Sequence, residues 1–276
     1  MTKSNLYDGK LVIDFNEKEH VYTANIDGVS KGPIDGVTGI LSRVFGLSPA
    51  IAGWRQKLQH EYALEKYLEL NEAGAFPEEF KELKHGPSSP FIKELTKAKS
   101  AWRAVAKQAT GVGKRVHLFA EKWEGEPVPA DEDPQYVQGC AAVVEFFQES
   151  DFETVSTERV VASIDDWYCG TCDRLIKMDD RFAVMDFKTS KPFVTKWNGP
   201  YMEQALQLAA YAIALEQELN IEIHDGYIVR LDKETGRPEL HRVQLTLQLK
   251  NAWRNVRAIE KATGDLERIW TANSQL

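Results

Sequence analysis

The chain has 276 residues, of which 43% are hydrophobic, and a formal net charge of -8, enough for one large domain or two small ones around a sizeable core. An acidic balance excludes indiscriminate binding to polyanions, so any nucleic-acid surface must be a local concentration of basic residues. Neither a signal peptide's apolar run in "MTKSNLYDGKLVIDFNEKEH" nor a bilayer-spanning stretch of about 18 apolar residues is found, and Cys140, Cys169 and Cys172 are too few for a disulfide framework, so a cytoplasmic location is expected.

In chain order, "KLVIDFNEKEHVYTANIDGVS" predicts two short strands joined by a polar turn, and "DGVTGILSRVFG" predicts a cap and the start of an apolar helix. Helical pattern then runs to about residue 124. Within it, "NEAGAFPEEFKELKHGPSSP" is rich in Gly, Pro, Ser and charge and is expected to be a loop or flap. "ATGVGK" is expected to break the helix ahead of "RVHLFAEKW", and "VQGCAAVVEFFQE" predicts a further amphipathic helix.

From about residue 153 the pattern turns to β. "TVSTERVVAS", "WYCGTCDRLIKM" and "RFAVMDFKTS" are rich in β-branched and aromatic residues, with the polar turn "DD" between the last two. A long helix follows in "GPYMEQALQLAAYAIALEQEL". The strands "IHDGYIVRLD" and "RPELHRVQLTL" are joined by the turn "KETG", and a last helix begins near Leu247. Mixed strands flanked by helices predict an α/β chain with an α-rich N-terminal half, read as a single domain over residues 1–276 with its catalytic part at 111–276.

Two segments concentrate base. Lys93, Lys97, Lys99, Arg103, Lys107, Lys114 and Arg115 face only Glu94 as a countercharge within their span, with Trp102 among them. Lys250, Arg254, Arg257 and Lys261 recur at helical spacing. Either stripe reads as a nucleic-acid surface or as a solvated helix face.

The strand "FAVMDFK" looks buried until it reaches Asp186 and Lys188. A symmetric hairpin centred between Asp179 and Asp180 would place Asp173 opposite Asp186 and Thr171 opposite Lys188, so both acids and the lysine would share one face. Two carboxylates with Cβ atoms about 5 Å apart repel, and a divalent cation between them is the natural remedy. A lysine two residues on could stabilise negative charge developing on a scissile phosphate. From spacing alone, an Asp–Lys surface pair on an edge strand remains the alternative.

"GTCDRL", then "DFK" with twelve residues between the two acids, then "QLAAY" resemble the RecB-like branch of the PD-(D/E)xK nucleases, which includes phage exonucleases and the mitochondrial genome maintenance exonuclease. The resemblance implies a restriction-endonuclease-like core with a mixed sheet. It makes Asp173 and Asp186 ligands of one or two Mg2+ or Mn2+ ions, with the Phe187 carbonyl as a further ligand and Lys188 as the catalytic lysine. "GVGKRVHLFAE" is similar to the family's helix carrying a metal-binding histidine, which implies His117 as a ligand and Glu121 as a further candidate. The Q-x-x-x-Y pattern falls on Gln207 and Tyr211, and Glu158 stands where relatives often carry an acid. "EHVYTANIDGVSKGPIDGVTGILSRVF" looks like the opening of phage and mitochondrial members. Cys172 stands where this branch usually has proline before the first acid.

The resemblance implies a metal-dependent DNA exonuclease acting on single strands or free ends in replication, recombination or DNA processing, in the host cytoplasm if the chain comes from a phage. Recombination or replication proteins would be its partners, with no membrane involved. Lys93, Lys97, Arg103, Lys107, Lys114 and Arg115 would bind the DNA backbone. A structure-specific or restriction-like endonuclease and a non-catalytic DNA-binding accessory protein are the alternatives. "TGVGKR" lacks the first glycine and the final Ser or Thr of a phosphate loop, and the single C-x-x-C in "CGTC" has no second pair to complete a zinc site.

Overall fold

The structure, a computed structural model, describes residues 2–16, 19, 21–46, 49–72, 90–193, 195 and 199–273. The chain divides into two compact units, Met1–Gly46 with Arg115–Leu276, and Leu47–Lys114.

The larger unit holds one mixed sheet. Four strands open it: β1 (Thr2–Leu6), β2 (Leu11–Asn16), β3 (Val21–Ile26) and β4 (Val29–Gly36). They form an antiparallel meander. The two expected strands are therefore the middle of four; the short, polar β1 and glycine-containing β4 lack the apolar alternation that marks a strand in sequence. After α1 (Val37–Phe45) the chain returns through β5 (Glu153–Ser163), β6 (Tyr168–Met178) and β7 (Arg181–Thr189). Helix α5 (Met202–Leu219) leads into β8 (Ile223–Leu231), β9 (Pro238–Gln244) and α6 (Leu247–Asn273). The strand order is β1-β2-β3-β4-β6-β7-β8-β9, with β5 on β6. Pairs β4–β6 and β7–β8 are parallel.

The hairpin register matches expectation as far as the ladder runs, and the expected pairs Asp173–Asp186 and Thr171–Lys188 lie beyond its last rung. Met178 pairs with Arg181 and Arg174 with Met185, and Asp179 and Asp180 both adopt left-handed φ, 46° and 62°. Two such residues make the tight turn whose twist suits a two-residue hairpin, and aspartate tolerates that conformation better than most residues with a Cβ.

Helix α5 is buried without a break from Leu206 to Leu215. Its alanines at 209, 210, 212 and 214 keep the helix thin enough to pack between the sheet and helices α1 and α6. The Gln204 side chain accepts from the Tyr201 backbone N–H at the start, and Asn220 in a left-handed conformation ends the helix. Helix α1, by contrast, starts at Gly36 with no side-chain cap, so the expected cap is absent. Helix α4 (Pro134–Glu149) is capped by Asp133, which accepts from the Gln135 and Tyr136 backbone N–H groups.

Helices α2 (Pro49–Glu72) and α3 (Pro90–Lys122) account for the expected helical stretch. The expected break at "ATGVGK" does not occur, because α3 continues through Gly111 and Gly113 to Lys122. Each glycine costs about 1 kcal/mol relative to alanine, and burial of Val112 and Val116 around them offsets a cost of that size. Most of the stretch expected as a flap, residues 73–89, lies outside the described residues. Among the described residues no helix is long and apolar enough to cross a membrane.

Candidate active site

Strand β6 has two neighbours on the edge away from β5. Strand β4 pairs with it at Tyr168 and Cys169, and β7 from Arg174 onward. Residues 170–173 thus lie in a fork between β4 and β7, and a fork leaves strand-end groups free to serve side chains. Asp173 sits one residue past the last β6–β7 pair. Its Oδ2 accepts a 2.8 Å hydrogen bond from the Phe187 N–H, in place of a further rung of the ladder.

Asp186, 1% exposed, faces Lys188 with Oδ2 and Nζ 2.5 Å apart. The contact is a buried ion pair that holds the ammonium charged. Lys188 Nζ also donates to Gln207 Oε1 at 3.2 Å, and Gln207 Nε2 donates to Tyr211 Oη at 2.8 Å. The one-turn spacing of Gln207 and Tyr211 on α5 aligns both with β7. Tyr211 fits because residue 170 is glycine: a Cβ there would come within 2.8 Å of the tyrosine ring.

His117 enters from α3, its Nδ1 3.8 Å from Asp173 Oδ2 and its ring edge-on to Phe187. Close packing of α3 on α4 helps to set its height, since a Cβ on Gly139 would lie 2.5 Å from Val116. Glu158 lies on β5 between the pairs Thr157–Arg174 and Arg159–Cys172, beside Asp173. Its backbone is left-handed, φ 43°, a conformation that costs a residue with a Cβ roughly 1–2 kcal/mol. Glu121 is near enough to act electrostatically on Glu158 and Arg174.

The electrostatics follow from crowding acids in a buried place. Burial, then Asp186, push the Asp173 carboxyl well above its ordinary range, against Lys188. Burial around its carboxyl, then Glu121 and Asp186, push Glu158 up to about 7; its side chain is open to solvent, so water screens part of that push. Burial lowers the Lys188 pKa, but Asp186 and Asp173 outweigh it and leave the ammonium raised. Burial also lowers the His117 pKa, against Asp186 and with Lys188, which favours the neutral imidazole that a metal ligand must be.

Among the described residues no three His, Cys, Asp or Glu side chains form a ready-made cation cage. The donor set nevertheless suits a hard divalent ion: two buried carboxylates that repel one another, Asp173 and Asp186, the second already drawn to a cation, the Lys188 ammonium. Magnesium in particular is commonly held by one or two carboxylates, with water and substrate phosphates completing the shell.

A family model described as the PD-(D/E)XK nuclease superfamily matches residues 98–270. The chain belongs to this superfamily. The match spans α3 through most of α6, and with it the two acids and the lysine at the fork. Members of the superfamily generally use divalent metals, and a nuclease family implies a nucleic-acid substrate. No curated protein matches the chain. Among solved structures it is similar to "Crystal structure of SSO0001", at 15% identity over 61% of this chain and 69% of that one, with a TM-score of 0.31.

Asp173, Asp186, Phe187, Lys188, Gln207, Tyr211 and His117 therefore come together at the fork of this superfamily member, with Glu158 and Glu121 at its acidic margin. The basic residues divide differently. Arg115 is held by Asp131 and Asp133 and lies over the Tyr136 ring. Arg103 lies near the Trp102 ring, which also carries Arg55 at 4.0 Å. Lys107 and Lys114 are exposed, as is Lys97. Lys93 lies in α3 with its side chain outside the described part.

The C-terminal stripe does not form an open basic face. Lys250 binds Glu216 and the Ile223 carbonyl, Arg254 pairs with Asp166, and the buried Arg257 pairs with Asp35 and Glu260. Arg174 and Gly170 carry no role in the sequence reading, and Thr171, expected opposite Lys188, instead has its Oγ1 3.3 Å from the Tyr22 hydroxyl. Arg174 carried a signal: a cation in mid-strand, between Asp173 and Leu175.

Proposed function

We propose that the protein is a divalent-metal-dependent DNA exonuclease of the RecB-like branch, working on single strands or free ends in replication, recombination or DNA processing. The observation that carries this reading is the convergence of Asp173, Asp186 and Lys188 at one fork, with Lys188 Nζ 2.5 Å from Asp186 Oδ2 and Asp173 Oδ2 bound to the Phe187 N–H. The two compact units are read as parts of one nuclease domain, and recombination or replication proteins as its partners.

Asp173, Asp186, the Phe187 carbonyl and His117 would hold Mg2+ or Mn2+, with Glu121 and Glu158 as candidates for a second position. Bound there, a divalent ion supplies a nucleophilic water at neutral pH and a Lewis acid toward the phosphate. The protein's own groups do the rest. Lys188, kept protonated by Asp186 and oriented by Gln207, neutralises charge growing on the non-bridging phosphate oxygens as water attacks phosphorus and the P–O bond to the leaving group breaks. Tyr211 fixes Gln207 and so fixes the lysine. Lys97, Arg103, Lys107 and Lys114 would supply phosphate contacts that bind the strand without taking part in the chemistry.

End-labelled linear DNA and closed circular DNA, each incubated with and without Mg2+ or Mn2+, test the proposal. Loss of label from linear DNA alone, only with metal, is expected. Cleavage of the circle would make it an endonuclease, and metal-dependent DNA binding without cleavage of either would make it an accessory protein.

A further inference from the structure

Arg174 is the cation next to Asp173 on the opposite face of β6, and it is 5% exposed. Its Nη2 donates to the Ala120 carbonyl at 2.6 Å, its Nη1 donates to Thr154 Oγ1 at 2.9 Å, and its guanidinium lies over the Phe147 ring at 4.5 Å. Among the described residues no carboxylate makes an ion-pair contact with it. Its Nε has no hydrogen-bond partner.

The cost of burying a cation without a paired anion is offset here by the groups it binds. Ala120 lies in the last turn of α3, which ends at Lys122, so its carbonyl belongs to the set that a helix cannot satisfy internally. A positive donor there completes the helix end and suits its dipole. The same turn carries Glu121, and His117 stands one residue short of a full turn before Ala120. Thr154 ties the guanidinium to β5, the strand of Glu158. Phe147 in turn packs on Phe187, as does the His117 ring.

We infer that Arg174 is a positioning residue, bolting the C-terminal turn of α3, and with it His117 and Glu121, to the strand that carries Asp173, so that the ligands of both elements meet at one metal. Asp173, Glu121 and Glu158 all act electrostatically on Arg174, so the same cation offsets the acidic crowding while no metal is bound. The inference rests on the metal-dependent reading of the site above.

The test is Mn2+ binding to the metal-free full chain, read from loss of the free-manganese paramagnetic resonance signal, beside cleavage rates over the same titration. Arg174→Met, similar in length but without donors, is expected to raise the half-saturating Mn2+ concentration about tenfold or more, the usual effect of losing an outer-sphere partner. Its rate at saturating Mn2+ should return close to wild type. Arg174→Lys, with one donor and the charge, should fall between the two. A merely structural role would lower the unfolding temperature and leave the binding midpoint unchanged, which would overturn the inference. If Arg174→Met does not fold, Thr154→Val takes its place, with a smaller rise expected and an unchanged midpoint again overturning the inference. A wild type that binds no Mn2+ would overturn both this inference and the metal-dependent reading; a wild type that binds it, with unaltered variants, would overturn this inference alone.

Discussion

The Phe187 N–H donates to Asp173 Oδ2 at 2.8 Å, one residue past the last β6–β7 pair, Arg174 with Met185. A carboxylate takes the place of a backbone carbonyl there. The strands can then separate, with Asp173 still fixed to the strand that bears Asp186. The second carboxylate of the site is thus placed by main-chain geometry rather than by a flexible side-chain contact.

Asp186 is both a candidate metal ligand and the ion-pair partner of Lys188, so its neutral isostere should cost the protein twice. Asp186→Asn is expected to lower stability in the presence of EDTA, because a buried ammonium loses its anion, and to lower cleavage by at least about a hundredfold. Thermal unfolding with and without metal, beside a cleavage assay, checks both. An active Asp186→Asn protein would remove the residue from the site.

Lys188→Ala should also abolish cleavage, through a different loss. The variant keeps both carboxylates, so its metal affinity should be equal to or tighter than wild type, with the rate down by roughly two to three orders of magnitude even at saturating metal. Weakened metal binding with a normal saturated rate would contradict the role given to the lysine.

His117→Ala should act on the metal rather than on the phosphate. The concentration for half-maximal cleavage is expected to rise, and saturating Mn2+ should recover part of the rate, since manganese accepts nitrogen ligands and tolerates an imperfect shell. A metal titration identical to wild type would leave His117 a packing residue beside Phe187.

Neutralising Lys97, Arg103 and Lys107 together should weaken binding to single-stranded DNA and reduce the slope of log affinity against log salt by up to about 2, with little change in the bound-state cleavage rate. Fluorescence anisotropy across a salt series measures the slope. An unaltered slope would make the stripe a solvated helix face.

Gly170→Ala tests the packing under the lysine. A Cβ at 2.8 Å from the Tyr211 ring must displace a buried side chain, at a cost of about 1–3 kcal/mol. Through Gln207 the displacement should also lower the cleavage rate. Wild-type stability and rate together would show that Tyr211 does not hold the Lys188 network.

The sequence by itself determined what is local. Two aspartates at 179 and 180 set a two-residue turn, and the turn set the register as far as Arg174 and Met185, one step short of Asp173 and Asp186, because pairing across a tight hairpin leaves no freedom to slip. The apolar run of α5 likewise announced a long helix, and its one-turn spacing placed Gln207 with Tyr211. The rest depends on partners far along the chain. Strand β4 ends against Cys169 and opens the fork, and no residue near 170 could signal that neighbour. Arg257 looked like part of a basic stripe until Asp35 and Glu260 enclosed it. Gly111 and Gly113 read as a break because local propensity opposes helix there, whereas the buried valines around them favour it. Arg174 is the sharpest instance: a cation in mid-strand stands out in the sequence, but its meaning comes from a helix end 54 residues earlier in the chain, which only folding brings within reach.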